Sequence, residues 1–170
     1  RMHLDTKTLA DQHSLPGDVY LNLLENKEIP KYQWTMIDAK TRVRFVAYSY
    51  NLHAEFGLKF LLFVLCYIRF TWNNWDTNIV VGFDNGIEFC SGSEDKLSDW
   101  NRILEPLNAS GYQYNPHFDI RKNLIERSHR LDDSHFLVPR GLLLTDKYSF
   151  LEETTNFFTY YNFDHGSSGV

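Results

Sequence analysis

Val80-Val81-Gly82-Phe83-Asp84-Asn85-Gly86-Ile87-Glu88-Phe89 is the stretch on which the fold turns. Its front half belongs to an apolar run, Asn78 to Phe83, that reads as a strand buried at the centre of a sheet. Asp84-Asn85-Gly86 then breaks the run with a turn signature, so the strand ends on a carboxylate. Gly86 lets the backbone turn sharply and approach a ligand closely. Glu88 has three readings at this stage: support for the loop, a holder of metal-bound water, or an acid that faces the turn.

Upstream, Met2 to Lys7 alternates apolar and polar residues as a short strand does, placing Asp5 near its end. Leu9 to Ile29 reads as a polar insertion with a short helix from Pro16-Gly17-Asp18 to Leu24. Lys31–Asp38 and Val43–Ser49 form a hairpin around the turn Asp38-Ala39-Lys40-Thr41, in which Asp38 has a structural role. Val43, Phe45 and Ala47 point one way, and Arg44, Val46 and Tyr48 the other. Asn51 is the cap candidate for a long helix to about Phe70. Its apolar run, Phe60 to Ile68, is too short to span a bilayer and reads as a buried core helix.

Downstream, Ser93 caps a helix to Leu107, and Gly111–Tyr114 is a short strand. Asn115–Arg121 is a loop, and Lys122–Phe136 is a helix stopped before Pro139. A last helix runs from Asp146 to about Tyr161, and Gly166–Val170 is a flexible tail. The order of elements predicts an α/β fold: a mixed five-stranded sheet, antiparallel at the front and parallel at the back, flanked by helices. We expect one domain over residues 1–163 and a C-terminal tail over 164–170. Because the chain opens directly on a strand, we expect it to be a fragment of a longer protein.

The 170 residues carry 13 Phe, 10 Tyr and 4 Trp, so the core is expected to be filled by rings. The net charge of −5 argues against a tight, self-sufficient DNA binder, since phosphate neutralisation requires basic surface. Cys66 and Cys90 have neither zinc-ligand nor disulfide-framework spacing, and an intracellular, cytoplasmic location is the default expectation.

A second stretch, Asn123-Leu124-Ile125-Glu126-Arg127-Ser128-His129-Arg130, sets a carboxylate among basic groups near a helix start. Asn123, Glu126, Arg127 and Arg130 share one face by three- and four-residue spacing, with Leu124, Ser128 and Leu131 on a face that packs on the core. Asp5, Asp84 and Glu126 would together supply hard oxygen ligands for two divalent ions, the arrangement that clamps the attacking and leaving oxygens of an in-line phosphoryl displacement. Lys7 would touch substrate phosphate or hold Asp5. Arg121, Lys122, Asn123, Arg127 and Arg130 would meet phosphates, with Asn85, Gly86, Glu88 and His129 in support. Asp132-Asp133 is expected to fix the end of the helix or to pair with Arg127 or Arg130.

Four motifs carry a resemblance: Leu4-Asp5-x-Lys7; Tyr32-Gln33-Trp34-Thr35-x-Ile37-Asp38-x-x-Thr41-Arg42-x-Arg44-Phe45; Asp84-Asn85-Gly86-x-Glu88-Phe89; and Ile125-Glu126-Arg127-Ser128-His129-Arg130-x-Asp132-Asp133. Together they resemble the DDE transposase/retroviral integrase core, most of all bacterial insertion-sequence transposases, over residues 2 to about 163. The resemblance implies an RNase H-like fold and two Mg²⁺ or Mn²⁺ ions. Asp5 would bridge the ions, and Asp84 and Glu126 would each complete one; Asp18 is the fallback for Asp5. It also implies hydrolysis at DNA ends, then 3′-hydroxyl attack on target DNA. The partners implied are transposon ends and target DNA, with a homo-oligomer as the active form, near the nucleoid of a bacterium and away from membranes. An upstream helix-turn-helix region would recognise the ends. The chain departs from the pattern in its glycine-free loop Asn115–Lys122, in Leu124 where glycine is usual, and in the 41 residues between Asp84 and Glu126. A non-catalytic relative serving as a dimerisation or DNA-docking module, and a simple RNase H-type nuclease, are the alternatives.

Overall fold

A computed structural model describes residues 1–73, 75–90, 92–114 and 122–164, with the side chains of residues 122, 123 and 164 outside the description. The strands are β1 (Met2–Thr8), β2 (Tyr32–Asp38), β3 (Arg44–Ser49), β4 (Ile79–Phe83) and β5 (Ala109–Gln113). They form one mixed sheet in the order β3-β2-β1-β4-β5. β2 runs antiparallel to both β1 and β3, whereas β1, β4 and β5 are mutually parallel. The expected antiparallel front and parallel back are therefore present.

The helices are α1 (Gly17–Glu25), α2 (Ala54–Trp72), α3 (Glu94–Leu104), α4 (Lys122–Asp132), α5 (Val138–Arg140) and α6 (Lys147–Thr159). On one sheet face, Met2 and Leu4 of β1 and Trp34 and Met36 of β2 pack against Phe60, Leu61, Val64 and Leu65 of α2. The expected rings are there: Phe83, Phe89 and Trp100 form a mutually packed cluster. Arg69, wholly buried, anchors the end of α2 by donating to the carbonyls of Leu107, Thr77 and Asn108 at 2.8–2.9 Å.

The other face corrects the reading of residues 9–29 as a polar insertion. Leu9, Leu15, Val19, Leu23 and Ile29 are buried with Phe136, Leu137, Leu144 and Phe150 as a second core. Asn22 Nδ2 fastens α1 to this layer through the carbonyls of Gly141 (2.8 Å) and Leu144 (3.1 Å). The apolar residues are few and spread among polar ones, so the segment looks soluble in sequence while its inward stripe builds core.

Further boundaries shift for physical reasons. His53, not Asn51, caps α2, its ring accepting from the Glu55 N–H. α2 is only partly a buried helix: Phe63 is 70% and Phe70 74% exposed, so one apolar stripe faces outward. The helix begun at Lys122 does not stop before Pro139. It widens into a π turn at Asp133–Leu137, where the Val138 N–H reaches back five residues to the Asp133 carbonyl, and continues into α5. The shifted ladder lets the chain carry a proline, which lacks a donor, without breaking the helical path. Ser93 and Asp146 do cap α3 and α6, Asp146 within a full capping box. The expected loop at residues 115–121 and the tail at 166–170 lie outside the described residues.

Candidate active site

β1 builds the floor of the site. Its alternation sends Met2 and Leu4 toward α2, and His3, Asp5 and Lys7 to the opposite face, where Asp5 and Lys7 meet the helix α4. Asp5 lies in mid-strand, paired with Thr35, rather than at a strand end. β1 runs longer than its alternation suggested because β2 pairs it along its full length. Beside it, β4 pairs in parallel through Met2↔Val81 and His3↔Gly82. Extended two residues beyond the His3↔Gly82 pair, the same register would set Asp84, the first residue after β4, opposite Asp5.

Asp84 is half-buried, and its Oδ1 accepts the Gly86 N–H at 2.8 Å, a local turn that fixes the carboxylate. Glu88 supports the loop: Thr6 Oγ1 donates to its Oε1 at 2.6 Å. A Cβ on Gly86 would meet the Glu88 carboxyl group, which would have to swing aside. Asn85 is exposed at the turn.

On α4, Glu126 is half-buried, and Arg127 and Arg130 are exposed. The buried stripe is Ile125, Ser128, His129 and Asp132, so the expectation that Leu124 and Leu131 pack inward with Ser128 is corrected. Leu131 is partly exposed instead. The inward stripe is mostly polar because it meets polar partners from the sheet. Arg121 and the side chains of Lys122 and Asn123 lie outside the described residues.

His129 is buried, with Nδ1 3.8 Å from Asp5 Oδ2. Burial, then the charges of Lys7 and Arg44, hold its pKa down to about 3, so the ring beside Asp5 is neutral at ordinary pH. Lys7 does not reach outward to phosphate. Its ammonium forms a buried ion pair with Asp133 and donates to the His129 carbonyl at 3.2 Å. Asp132 likewise pairs not with Arg127 or Arg130 but with Arg44 of β3, at 2.7 Å. Gln33 Nε2 donates to the second Asp132 oxygen at 2.7 Å. The Arg44 guanidinium also lies 3.5 Å from the ring centre of Tyr161. Burial pushes the Asp132 carboxyl up despite this company. Asp38 bonds the N–H and hydroxyl of Thr41 at 2.7 Å each, the structural role expected of it.

Two site neighbours had no sequence signal. His3, two residues before Asp5, is buried against the Tyr114 hydroxyl, which donates to the Gly82 carbonyl at 3.0 Å. Gln33 joins Asp132 to Thr35, its neighbour on the same face of β2. Asp5, Asp84 and Glu126 are thus carried on adjoining elements. Among the described residues, however, no three His, Cys, Asp or Glu side chains stand close enough together to hold a metal ion. No described helix is long and apolar enough to cross a membrane.

No family model matches the chain, and no curated protein matches it. Among solved structures it is similar to a chain of a simian T-cell lymphotropic virus intasome in complex with PP2A regulatory subunit B56 gamma, determined by cryo-electron microscopy. The TM-score is 0.48 and the identity 10%, over 85% of this chain and 45% of that one. The chain therefore spans less than half the length of that neighbour. A likeness at this level carries no argument about activity, which rests on the residues of the site itself.

Proposed function

We propose that this chain is the RNase H-like catalytic core of a DNA transposase or integrase, working by metal-assisted phosphoryl transfer. The observation that supports the reading is the parallel β1–β4 pairing, whose register, extended, would set Asp84 opposite Asp5, with α4, bearing Glu126, packed on β1. The sheet order β3-β2-β1-β4-β5 with only β2 reversed is consistent with an RNase H-like core and supports this reading.

Asp5, Asp84 and Glu126 would hold two Mg²⁺ or Mn²⁺ ions, since three carboxylates are the donor set such hard ions take. Bound, the ions would activate the attacking oxygen and stabilise the leaving one. The chain's own residues do the positioning. The Gly86 N–H orients Asp84, the Thr6–Glu88 bond fixes the loop, and the Lys7–Asp133 pair pins α4 to β1. Neutral His129 covers the flank of Asp5 without adding a positive charge. Arg127 and Arg130, exposed on α4, would meet DNA phosphates, together with Arg121, Lys122 and Asn123. The partners proposed are transposon ends and target DNA, with a homo-oligomer as the active form in the bacterial cytoplasm.

The ungathered carboxylates favour a second reading, a non-catalytic relative that docks DNA or dimerises. Mn²⁺ titration by calorimetry separates the two, using the chain, Asp84→Asn and Glu126→Gln, each with and without DNA. Binding weakened by both substitutions supports the catalytic core. Binding that is absent in every condition, or indifferent to both substitutions, refutes it.

A further inference from the structure

β3 is an edge strand, and its alternation decides which backbone groups are free. Val43 and Ser49 turn their carbonyls to the β2 side, accepting from Asp38 and Lys31. Residues of the other parity, Arg44, Val46 and Tyr48, therefore present their N–H and C=O groups away from the sheet. At Arg44 both groups are met by one side chain: Asn162 Oδ1 accepts the N–H at 3.0 Å and Asn162 Nδ2 donates to the carbonyl at 2.8 Å. A neighbouring strand would make the same pair of bonds with its backbone. Past that point the edge opens into a groove of about 530 Å³ between β3 and α6. Val46 and Tyr48 form one wall, Leu151, Phe158 and Phe163 the other, and Lys147 stands at the Tyr48 end. Leu151 is half-exposed and Phe163 largely exposed.

We propose that this groove binds an extended peptide segment of a partner protein by strand addition to β3. The peptide carries apolar side chains at alternate positions and a carboxylate at the Lys147 end. The chemistry of the groove selects this occupant. Among the described residues, the outward N–H and C=O groups of Val46 and Tyr48 have no partner; at the spacing of alternate strand residues they match a peptide backbone, and the apolar wall accepts every second side chain. Lys147 supplies the charge complementarity. Asn162 ends the ladder at Arg44, which sets the register in which the added strand starts.

The probe is a phage-displayed library of linear hexapeptides selected on the whole chain, with counter-selection on Val46→Pro. Proline at 46 removes one outward N–H while sparing the bonds to β2, as edge strands tolerate. Thermal melting and the protection of the Phe45 and Ala47 amides verify that the variant folds. We expect enriched peptides with alternating apolar residues and a terminal acid, bound at least about tenfold more weakly by Val46→Pro and by Leu151→Lys. Hydrogen exchange should show the Val46 and Tyr48 amides open in the free chain and protected by the peptide. Three results overturn the proposal: no enrichment over folded Val46→Pro, peptides that leave both amides open, or amides already protected in the free chain. Protection that fades on dilution would instead assign the edge to a second copy.

Discussion

The sharpest test of the site's electrostatics is the replacement of His129 by leucine, read as a change in the pH dependence of stability. The unfolded imidazole takes a proton near pH 6.5, whereas the folded one, buried beside Lys7 and Arg44, resists it until about 3. A depressed folded pKa gives stability that is fully present above pH 6.5 and lost as the pH falls toward 3, because only the unfolded chain gains the proton. At about 1.36 kcal/mol per unit, the 1.5 units between 6.5 and 5 correspond to a loss of about 2 kcal/mol between pH 8 and pH 5. That figure barely changes for any folded pKa below about 4, since the ring is then still neutral at pH 5. The assay is urea unfolding followed by tryptophan fluorescence at pH 8 and pH 5, with EDTA present to keep metal out. Titrations shared by wild type and His129→Leu cancel in the difference of differences, leaving the His129 contribution. We expect His129→Leu to lose about 2 kcal/mol less than wild type over this interval. Equal losses in the two proteins would show that the ring protonates freely in the fold, and the neutral neighbour of Asp5 would have to be abandoned.

Two further substitutions test the supports of the site. Arg44→Met strands the buried Asp132 carboxylate and should cost about 3–5 kcal/mol in chemical unfolding, while Arg44→Met combined with Asp132→Leu recovers much of it. A single Arg44→Met that loses under about 1 kcal/mol would mean that the pair carries little. In Gly82→Ala the new methyl would stand 2.6 Å from the Tyr114 ring and 2.7 Å from Tyr112. The expected destabilisation is about 1–3 kcal/mol, with a shifted His3 ring resonance as the local readout. An unshifted resonance and an unchanged midpoint would refute the close packing.

The elements legible in the sequence were those whose own chain segment specifies them. The hairpin announced itself through alternation and the Asp38 turn, and the cap of α3 through Ser93. The carboxylate at the end of β4 was marked by an apolar run broken at Asn85-Gly86. Each of these depends on neighbours within a few residues. The failures share the opposite character. Leu15, Val19 and Leu23 became core only because Phe136 and Phe150, more than a hundred residues on, cover them. The outward stripe of α2 was hidden by an apolar run that periodicity could not divide.

The same division runs through the site. Asp5, Asp84 and Glu126 were read from their chemistry, but what surrounds them was not. Lys7 and Arg127 look equally free to meet phosphate in a sequence; only the fold shows that Lys7 is held by Asp133 while Arg127 stays exposed. Asp132 and Asp133, adjacent in the chain, project to different partners, Arg44 on β3 and Lys7 on β1. Each aspartate thus ties α4 to a different strand, and Glu126 rides on the helix they fix. Because both ties lie C-terminal to Glu126, they set the position of α4 along the sheet from one end. The placing of Glu126 relative to Asp5 and Asp84 is therefore expected to depend on the Asp132-Asp133 ties. Loosening those ties should scatter Glu126 without touching any of the three acids, and Arg44→Met is the substitution that would show it, by weakening Mn²⁺ binding while every carboxylate remains.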